Sequence, residues 1–347
     1  MISDGPIRIE QIGDADAQAW DAFVASKPSA SLYHRYAWRH VIRESFGRET
    51  FYLAAREGGR ICGVLPIARL KSFMFGDLLV SLPYFNYGGP VADSAEVGQQ
   101  LIESACSLAR DLGVSHLELR EREPRPGLAA RTDKVTMLIE LPSSSEVLWK
   151  KLRSHVRSQV RRAQKHGAVA VHGKAELLDD FYAVFAENMR DLGTPVYGKP
   201  FFACMLRRFP DNASIFVVRV NNAPVAAGFL LGDGRTLEIP WASSLRRANP
   251  MGVNRFMHWS VLEYACQAGY STFDFGRSTA GSGTYKYKEE WGAVPHGLHW
   301  HYWLRSGGEP PKLNPSNPKY KAAIAAWQKL PLAIANALGP LIVRNIP

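Results

Sequence analysis

Hydrophobic and polar positions follow a pattern along this chain that occurs twice. In each half, two apolar runs flank a short turn. FYLAAREGGRICGVLPI at residues 51–67 turns at Gly58 and Gly59, and IFVVRVNNAPVAAGFLL at residues 215–231 turns at Asn221 and Asn222. Apolar runs around residues that accept a positive φ angle are typical of β-hairpins. The pattern therefore predicts one β-hairpin in each half.

The elements after each hairpin also repeat. A strand-like run follows at residues 78–82 and again at 236–241, then an amphipathic stretch of helical length. A short strand after a glycine closes each set, at residues 113–119 and 269–275. The copies are about 160 residues apart in a chain of 347. This order predicts an α/β (α+β) protein with a tandem duplication, in which each domain is a mixed twisted sheet flanked by helices.

The repeat sets the predicted domain boundaries. The first domain covers residues 1–145 and the second covers 146–306, and residues 307–347 form a Pro-rich linker with a C-terminal helix and tail. We expect one amphipathic helix over residues 146–166 and another over 319–330. The apolar tail at 330–343 is interrupted by prolines, which predicts neither a regular helix nor a membrane span.

The charge balance adds information about partners. The chain has 42 Lys and Arg against 32 Asp and Glu, a net charge of +10. Such a surface favours anionic partners such as nucleic acid, nucleotide-sugar phosphates or acidic lipid headgroups. The four cysteines contain no CxxC pair, and the N-terminal stretch is acidic where an export signal would be basic. We therefore expect a cytoplasmic protein without a structural metal.

The predicted helix at 146–166 carries seven cations and no acidic residue after Glu146. One interpretation is a solvated basic face. The other is a phosphate-contact surface in which Arg157 and Arg161, one helical turn apart, act together on an anion.

The segment DFGRSTAGSGTYKYKEEWG at residues 274–292 carries the densest chemistry. It follows a predicted strand and combines flexible glycines, hydroxyls and cations that would converge on one anion. The candidate binding residues are Arg277, Ser278, Gly281, Gly283, Thr284, Tyr285, Lys286 and Trp291, with Lys288 as the candidate catalytic residue. The spacing is not that of a Walker loop.

Isolated polar residues in predicted strands form a second group of candidates. Glu238 lies among apolar neighbours and is a candidate proton acceptor, with an ion pair to Arg277 as the alternative. His299 and His301 share a strand face, where half-buried strand residues are the alternative to a metal site.

Two aromatic loop segments are candidate binding surfaces. SLPYFNYGGP at 81–90 contains Asn86 and Tyr87, and residues 190–197 end at Tyr197. Rings with a few directed polar groups suit a sugar or a nucleobase. Trp241, in LEIPWASSLR, is a further candidate.

Several of these phrases together resemble FemAB-related proteins of the branch associated with exosortase/PEP-CTERM and exopolysaccharide loci. They are WRHVIRESFG (38–47), SLPYFNYGGP (81–90), VRSQVRRAQKHG (156–167), MRDLGTPVYGKPFF (189–202), LEIPWASSLR (237–246) and DFGRSTAGSGTYKYKEEWGA (274–293). The resemblance implies two GNAT-like acyltransferase domains.

The resemblance also implies the chemistry. Fem enzymes pass an amino acid from aminoacyl-tRNA to an amine of a peptidoglycan precursor. Their aromatic-Lys-x-x-aromatic-Gly motif corresponds to Tyr287, Lys288, Trp291 and Gly292, and Arg157 and Arg161 correspond to anion contacts. We therefore expect direct acyl transfer without a covalent enzyme intermediate to an amine or hydroxyl of an envelope glycan or nucleotide-linked precursor.

The expected donor is a co-substrate, aminoacyl-tRNA or acyl-CoA, and no tightly bound cofactor is expected. Two features depart from the related families. Pro250 stands where the GNAT pyrophosphate loop has its first glycine, and no pair of long charged heptad stretches matches the helical hairpin with which some Fem ligases contact tRNA.

Two other classes of function stay open at this stage. The first is an inactive GNAT-fold scaffold for envelope or exopolysaccharide assembly, with the tail at 330–343 resting on the inner face of the membrane or packed on the second domain. The second is a general nucleic-acid binder, which charge alone suggests; among partners, tRNA stays open and DNA is not expected.

Overall fold

The computed structural model describes residues 6–72, 76–311 and 318–346, with side chains from residue 322 onward in the last range. It confirms the predicted α/β fold with two mixed sheets. The chain divides into two compact units. The first is the described part of Met1–Lys134, Gly297–Lys312 and Arg344–Pro347, and the second is Val135–His296 with the described part of Leu313–Val343.

The strands and helices have these bounds. The strands are β1 Arg8–Gln11, β2 Thr50–Glu57, β3 Arg60–Ser72, β4 Gly76–Val80, β5 Val91–Ala92, β6 His116–Glu121, β7 Ala129–Arg131, β8 Lys134–Glu140, β9 Val169–Gly173, β10 Ala213–Val220, β11 Ala223–Asp233, β12 Thr236–Ser244, β13 Thr272–Thr279, β14 Val294–Gly297 and β15 His299–Leu304. The helices are α1 Ala17–Ala25, α2 Trp38–Phe46, α3 Ala95–Asp111, α4 Ser145–Lys151, α5 Ser154–Lys165, α6 Leu178–Leu192, α7 Lys199–Arg208, α8 Val253–Gln267, α9 Gly283–Glu289, α10 Pro318–Trp327 and α11 Leu332–Val343.

The sheet of the first unit has the order β1-β2-β3-β4-β6-β15-β7, and β5 pairs with β3. The β2–β3 hairpin turns at Gly58 and Gly59, whose φ angles are 56° and 84°, as its sequence predicts. Helix α3 packs on this sheet with an apolar face that includes Leu101, Ala105 and Ala109, all of which are fully buried.

The sheet of the second unit has the order β14-β8-β13-β12-β11-β10-β9. Its hairpin β10–β11 turns at Asn221 and Asn222, which adopt φ angles of 50° and 62°. Asparagine tolerates this left-handed region better than most residues, so the predicted turn is confirmed. Helices α6 and α8 both pack on this sheet.

Two strands belong to a different sheet from the one that the predicted domain boundaries imply. Strand β15, which the boundaries assign to the second domain, pairs with β6 and β7 in the first sheet. Strand β8, assigned to the first domain, joins the second sheet between β14 and β13. Each sheet thus takes a strand from beyond the repeat, and short-range sequence patterns carry no signal of such long-range pairing.

Two predicted elements differ from the structure. The helix expected over 146–166 is divided into α4 and α5, because Leu152 and Arg153 adopt extended backbone angles with ψ near 145°. The tail predicted to be irregular contains helix α11. Pro340 lies inside that helix, where it has no N–H to donate to the carbonyl four residues earlier, so the helix forms without that hydrogen bond. Most of the predicted Pro-rich linker, residues 312–317, lies outside the described residues.

In the described ranges, no helix has the length and apolarity that crossing a bilayer requires.

Candidate active site

The candidate site lies in the second unit, where two parallel strands stop pairing. Strands β12 and β13 pair over three positions, and the last pair is Glu238 with Asp274. Both strands continue beyond it, to Ser244 and to Thr279. Glu238 is 6% exposed and Asp274 is 1% exposed. Two buried carboxyl groups therefore mark the point at which the strands separate.

Asp274 organises the backbone at this point. Its Oδ1 accepts a hydrogen bond from Thr136 Oγ1 at 2.6 Å and another from the Gly276 amide at 2.7 Å. Gly276 has a φ of 74°, an angle that glycine adopts without strain. Strand β8 thus supplies a hydroxyl that fixes Asp274, and Asp274 fixes the turn at Gly276.

Lys288 binds the carbonyl groups of the same turn. Its Nζ donates to the carbonyl oxygens of Gly276 at 2.9 Å and Arg277 at 3.0 Å. Helix α9 carries Lys288, and Ser282 caps that helix by accepting from the Tyr285 amide at 3.3 Å. An ammonium has three N–H donors. The two carbonyls use two of them, and the third is available for an oxygen of a ligand.

The environment of Lys288 lowers its pKa from the usual value to about 8. Burial is the main cause, because it disfavours the charged form, and the Arg277 cation acts in the same direction. The carboxylates of Asp274 and Glu238 oppose these effects. At neutral pH the amine is therefore mostly protonated, but it titrates far closer to neutrality than an exposed lysine does.

Aromatic and charged residues hold helix α9 in place. Tyr287 and Trp291 stack against the Arg255 guanidinium, with 4.5 and 5.8 Å to the ring centroids, and Arg255 forms an ion pair with Glu290. His258 is buried beside Tyr287, and burial lowers its pKa to about 4, so the ring is neutral at physiological pH. Trp291 is 2% exposed. The two aromatic residues of the lysine motif therefore anchor helix α9 through their contacts with Arg255.

The other predicted residues of the loop fall into two groups. Ser278 is buried, and Trp291 is part of the packing just described, so neither presents a surface to a donor. The exposed residues are Arg277, Gly281, Gly283, Thr284 and Lys286, and Tyr285 is half-buried. We keep this second group as the predicted binding residues.

Tyr197 and Trp241, predicted from separate segments, lie side by side. Their rings meet edge to face with centroids 5.9 Å apart, and both are half-exposed. Trp241 also packs edge to face on Phe201 and Phe202, which are buried. The pair forms the open side of an aromatic cluster on β12, the strand that carries Glu238.

The two predicted arginines of the basic helix have intramolecular contacts. Arg157 donates to the carbonyl oxygens of Lys150 at 3.0 Å and Trp149 at 3.4 Å, which caps the end of α4. Arg161 lies over the Trp149 ring at 5.7 Å and is exposed. Arg157 therefore joins α4 to α5, and anion contacts at Arg157 and Arg161 stay predictions.

The segment before α8 differs from an open glycine loop. Arg246–Met251 forms a 3-10 helix that includes Pro250, and Gly252 follows with a φ of 81°. Helix α5 packs against it so closely that a Cβ at Gly252 would lie 2.4 Å from the Gln159 carbonyl oxygen. Pro250 has no N–H to offer a pyrophosphate, so this segment is poorly suited to the usual GNAT phosphate contact.

The first unit contains a pocket of about 530 Å³, to which the predicted aromatic segment 81–90 contributes Tyr87, Gly88, Gly89 and Pro90. The first turn of α3, His34 and Tyr87 border it. So does Arg120, which is 1% exposed and bonds Glu118 through Nε at 2.7 Å. Asn86 precedes Tyr87 in the same loop. Polar and apolar groups line this pocket in similar measure, and Tyr87, but not Asn86, is among the lining residues.

His299 and His301 do not form a metal site in the structure. His301 is buried, with Nδ1 3.0 Å from Glu121 Oε2 and Nε2 accepting from the Arg125 amide at 2.9 Å. Both nitrogens thus face groups of the protein itself. No cluster of three or more His, Cys, Asp or Glu side chains suited to a metal occurs among residues 6–72, 76–311 and 322–346.

The duplicated sheets and the lysine turn between separating parallel strands define a tandem GNAT-like fold. Residues 150–289 match a family model described as an acetyltransferase (GNAT) domain. That match contains Glu238, Asp274 and Lys288. No curated protein matches the chain in sequence.

Solved structures with this fold cover most of the chain at low identity. FemX aligns with a TM-score of 0.67 and 15% identity over 84% of this chain and 96% of its own. The C-terminal domain (DUF2156) of a putative lysylphosphatidylglycerol synthetase from Agrobacterium fabrum aligns at 0.58 and 13%, over 93% and 96%. A tandem GNAT protein from the clavulanic acid biosynthesis pathway aligns at 0.51 and 12%, over 88% and 100%. At these identities the likeness establishes the fold.

Proposed function

We propose that this protein is an acyltransferase that passes an acyl or aminoacyl group from an activated donor to an amine or hydroxyl of a cell-envelope glycan or peptidoglycan-type precursor. The acceptor attacks the donor carbonyl directly, without a covalent enzyme intermediate. The GNAT match over residues 150–289, which contain the lysine turn, supports acyl transfer. The link to envelope and exopolysaccharide loci rests on the sequence resemblance.

The observation that carries the proposal is the position of Lys288. A desolvated ammonium held by the Gly276 and Arg277 carbonyls, with one remaining N–H, is a pre-positioned donor. In a site from which water is excluded, such a donor stabilises the oxyanion that develops on the attacked carbonyl or the phosphate of the donor. The buried carboxylates of Asp274 and Glu238 keep the amine charged enough to do so.

Glu238 is the candidate proton acceptor. It is buried at the end of the paired region, and a Cβ on Gly276 would lie 3.9 Å from its Oε1, so the carboxyl group borders the lysine turn. A carboxylate there accepts a proton from an attacking amine or hydroxyl. Trp241, on the same strand as Glu238, and Tyr197, in the loop before α7, supply a surface on which a sugar ring or an acyl group packs.

The proposed donor is either acyl-CoA or aminoacyl-tRNA. The GNAT match favours acyl-CoA, whereas the resemblance to Fem enzymes favours aminoacyl-tRNA. The 3-10 helix with Pro250 lacks a backbone donor that GNAT enzymes place on the CoA pyrophosphate, which favours the second donor. The exposed cations Arg161, Arg277 and Lys286 suit either, since both donors are anionic.

A transfer assay tests the proposal. Purified protein is incubated with acetyl-CoA or a mixture of aminoacyl-tRNAs as donor and a nucleotide-linked amino sugar or a peptidoglycan precursor as acceptor, and the product is followed by mass spectrometry. We expect turnover with one donor and a loss of about 10²–10³-fold in Lys288→Met. Lys71→Met, an exposed lysine of the first unit, is the matched control.

The alternative is an inactive GNAT-fold scaffold. The 3-10 helix before α8 favours it, because a fold that has lost its phosphate loop has lost part of its donor site. Binding of a donor or precursor without product, at full protein integrity, would select this alternative. Transfer that Lys288→Met leaves unchanged would remove Lys288 from the mechanism.

A further inference from the structure

The C-terminal helix α11 is apolar on both of its faces. Its sequence LAIANALGPLIV contains no charged residue. Ala335, Gly339 and Val343 form its buried face. Ile334, Leu338 and Leu341 form a second face and are 45%, 44% and 54% exposed. At 100° per residue the centres of these two faces are roughly 130° apart.

The buried face accounts for the attachment of the helix to its own unit. A Cβ at Gly339 would lie 2.8 Å from Val196 Cγ1, and Gly198 lies beside Pro340. The helix therefore rests on the loop that bears Tyr197. Packing of the tail on the second unit, one of the two alternatives from the sequence, is confirmed by these contacts, but it leaves the outer face unexplained.

Other exposed apolar residues lie on α10 and α6. Ile324 of α10 is 40% exposed, and Leu192 at the end of α6 is 53% exposed. A Cβ at Gly193, the residue after Leu192, would lie 2.4 Å from Ile324 Cγ2, so α10 packs against the end of α6. Four of the nine large exposed hydrophobic residues in the described chain belong to α10 and α11, and three of the four lie on one face of α11. Exposed apolar residues grouped on one helix face mark a contact surface, whereas single scattered ones need no partner.

The charge of the C-terminal segment indicates the kind of partner. From residue 310 to the C-terminus the sequence has five cations and no acidic residue: Lys312, Lys319, Lys321, Lys329 and Arg344. Lys329 precedes α11 and Arg344 follows it directly in the chain. An exposed apolar helix face in such a basic segment complements a bilayer with anionic headgroups, in which apolar burial and electrostatic attraction act together.

We propose that the outer face of α11 docks on an anionic lipid bilayer, so that the protein associates with the membrane surface without crossing it. This inference is independent of the proposed transferase activity. It commits to a lipid surface, in preference to a second copy of the chain, because the sequence from residue 310 onward has cations but no acidic residue that could pair with them across a two-fold interface built on the same segment.

Flotation of the full-length protein with vesicles tests the proposal. Vesicles of pure phosphatidylcholine are compared with vesicles that contain about one third phosphatidylglycerol, at low and at high salt. We expect association with the anionic vesicles only, weakened by salt through screening of the cations. In the triple variant Ile334→Ser, Leu338→Ser and Leu341→Ser, we expect at least a tenfold loss of bound protein.

A matched control keeps the test specific. Val169, Val171 and Val294 are exposed apolar residues of the second unit, 59%, 37% and 58% exposed, on strands far in sequence from the tail. The triple variant Val169→Ser, Val171→Ser and Val294→Ser should float like the wild type. Circular dichroism melting shows whether each variant is folded.

Three outcomes would overturn the proposal. The first is no association with anionic vesicles, and the second is equal association with neutral ones. The third is association that the α11 variant retains when it is folded. A concentration-dependent dimer that the α11 variant abolishes, with no vesicle binding, would assign the surface to a second copy instead.

Discussion

Replacement of Lys288 by Met should change the pH dependence of folding stability as well as activity. In the folded protein the pKa of Lys288 is lowered to about 8, mainly by burial, from 10.5 in the unfolded chain. The unfolded state therefore binds more protons than the native state between these values. The free energy of unfolding must rise as the pH increases through this window, because burial of the charged amine is then no longer required.

The magnitude follows from the two pKa values. The native ammonium is disfavoured by about 3 kcal/mol at pH 7, and about 2 kcal/mol of this is relieved between pH 7 and pH 9.5. Lys288→Met removes the titrating group but keeps much of the apolar stem. Between pH 7 and pH 9.5, the unfolding free energy of the wild type should therefore rise by about 2 kcal/mol relative to that of the variant.

Urea unfolding of both proteins at pH 7, 8, 9 and 9.5 measures this difference, and the subtraction cancels the titration of tyrosines and cysteines elsewhere. Lys286→Met is the control for stability, because Lys286 lies on the same helix but is exposed. Parallel stability curves for wild type and Lys288→Met would refute the argument, since they would show that the amine is not desolvated. In the transfer assay, activity of the wild type should fall as the pH rises through about 8, where Lys288 loses its proton.

Three further substitutions test other parts of the site. Thr136→Val removes the donor to Asp274 and should cost about 1 kcal/mol of stability and lower kcat while KM stays unchanged, as measured by urea unfolding and steady-state kinetics. Gly252→Ala should destabilise by at least about 2 kcal/mol, since its Cβ would meet the Gln159 carbonyl in a left-handed backbone conformation, and thermal melting measures this loss. Trp241→Ala should raise the KM of the acceptor or donor about tenfold with a smaller effect on kcat, and equal KM values would exclude Trp241 from the binding surface.

The local parts of the fold were predictable because their causes are local. The turns at Gly58–Gly59 and Asn221–Asn222 require positive φ angles, and only a few residue types adopt them without strain. The order of hairpin, strand, helix and strand followed from apolar periodicity. The duplication followed from repetition of that order, so fold class and site loop were both accessible from the sequence.

The sequence patterns could not predict that β8 joins the second sheet and β15 the first. Either strand satisfies the same alternating pattern in either sheet, and only long-range packing decides between them. The consequence reaches the site, because Thr136 reaches Asp274 across 138 positions of sequence only when β8 is in the second sheet. The hydroxyl that fixes the lysine turn therefore had no signal in the local sequence.

The same contrast between local and long-range causes separates the candidate residues. Lys288 and Glu238 were predicted because a cation in a glycine-rich loop and an acid in an apolar strand are anomalies that local structure does not explain. Arg157 was predicted as an anion contact, which stays a prediction, and in the structure the bend at Leu152 also brings the α4 carbonyls within its reach. A charge run alone does not say which cation is used by the fold itself.

The energetics of Lys288 favour a functional role over a structural one. The two hydrogen bonds that the ammonium donates to carbonyl oxygens join helix α9 to the turn at Gly276. The depressed pKa shows that burial of the ammonium opposes folding at neutral pH, a cost that an apolar residue at this position would not carry. Local features that oppose stability, with buried carboxylates arranged to keep the charge, are found most often where that charge acts on a ligand.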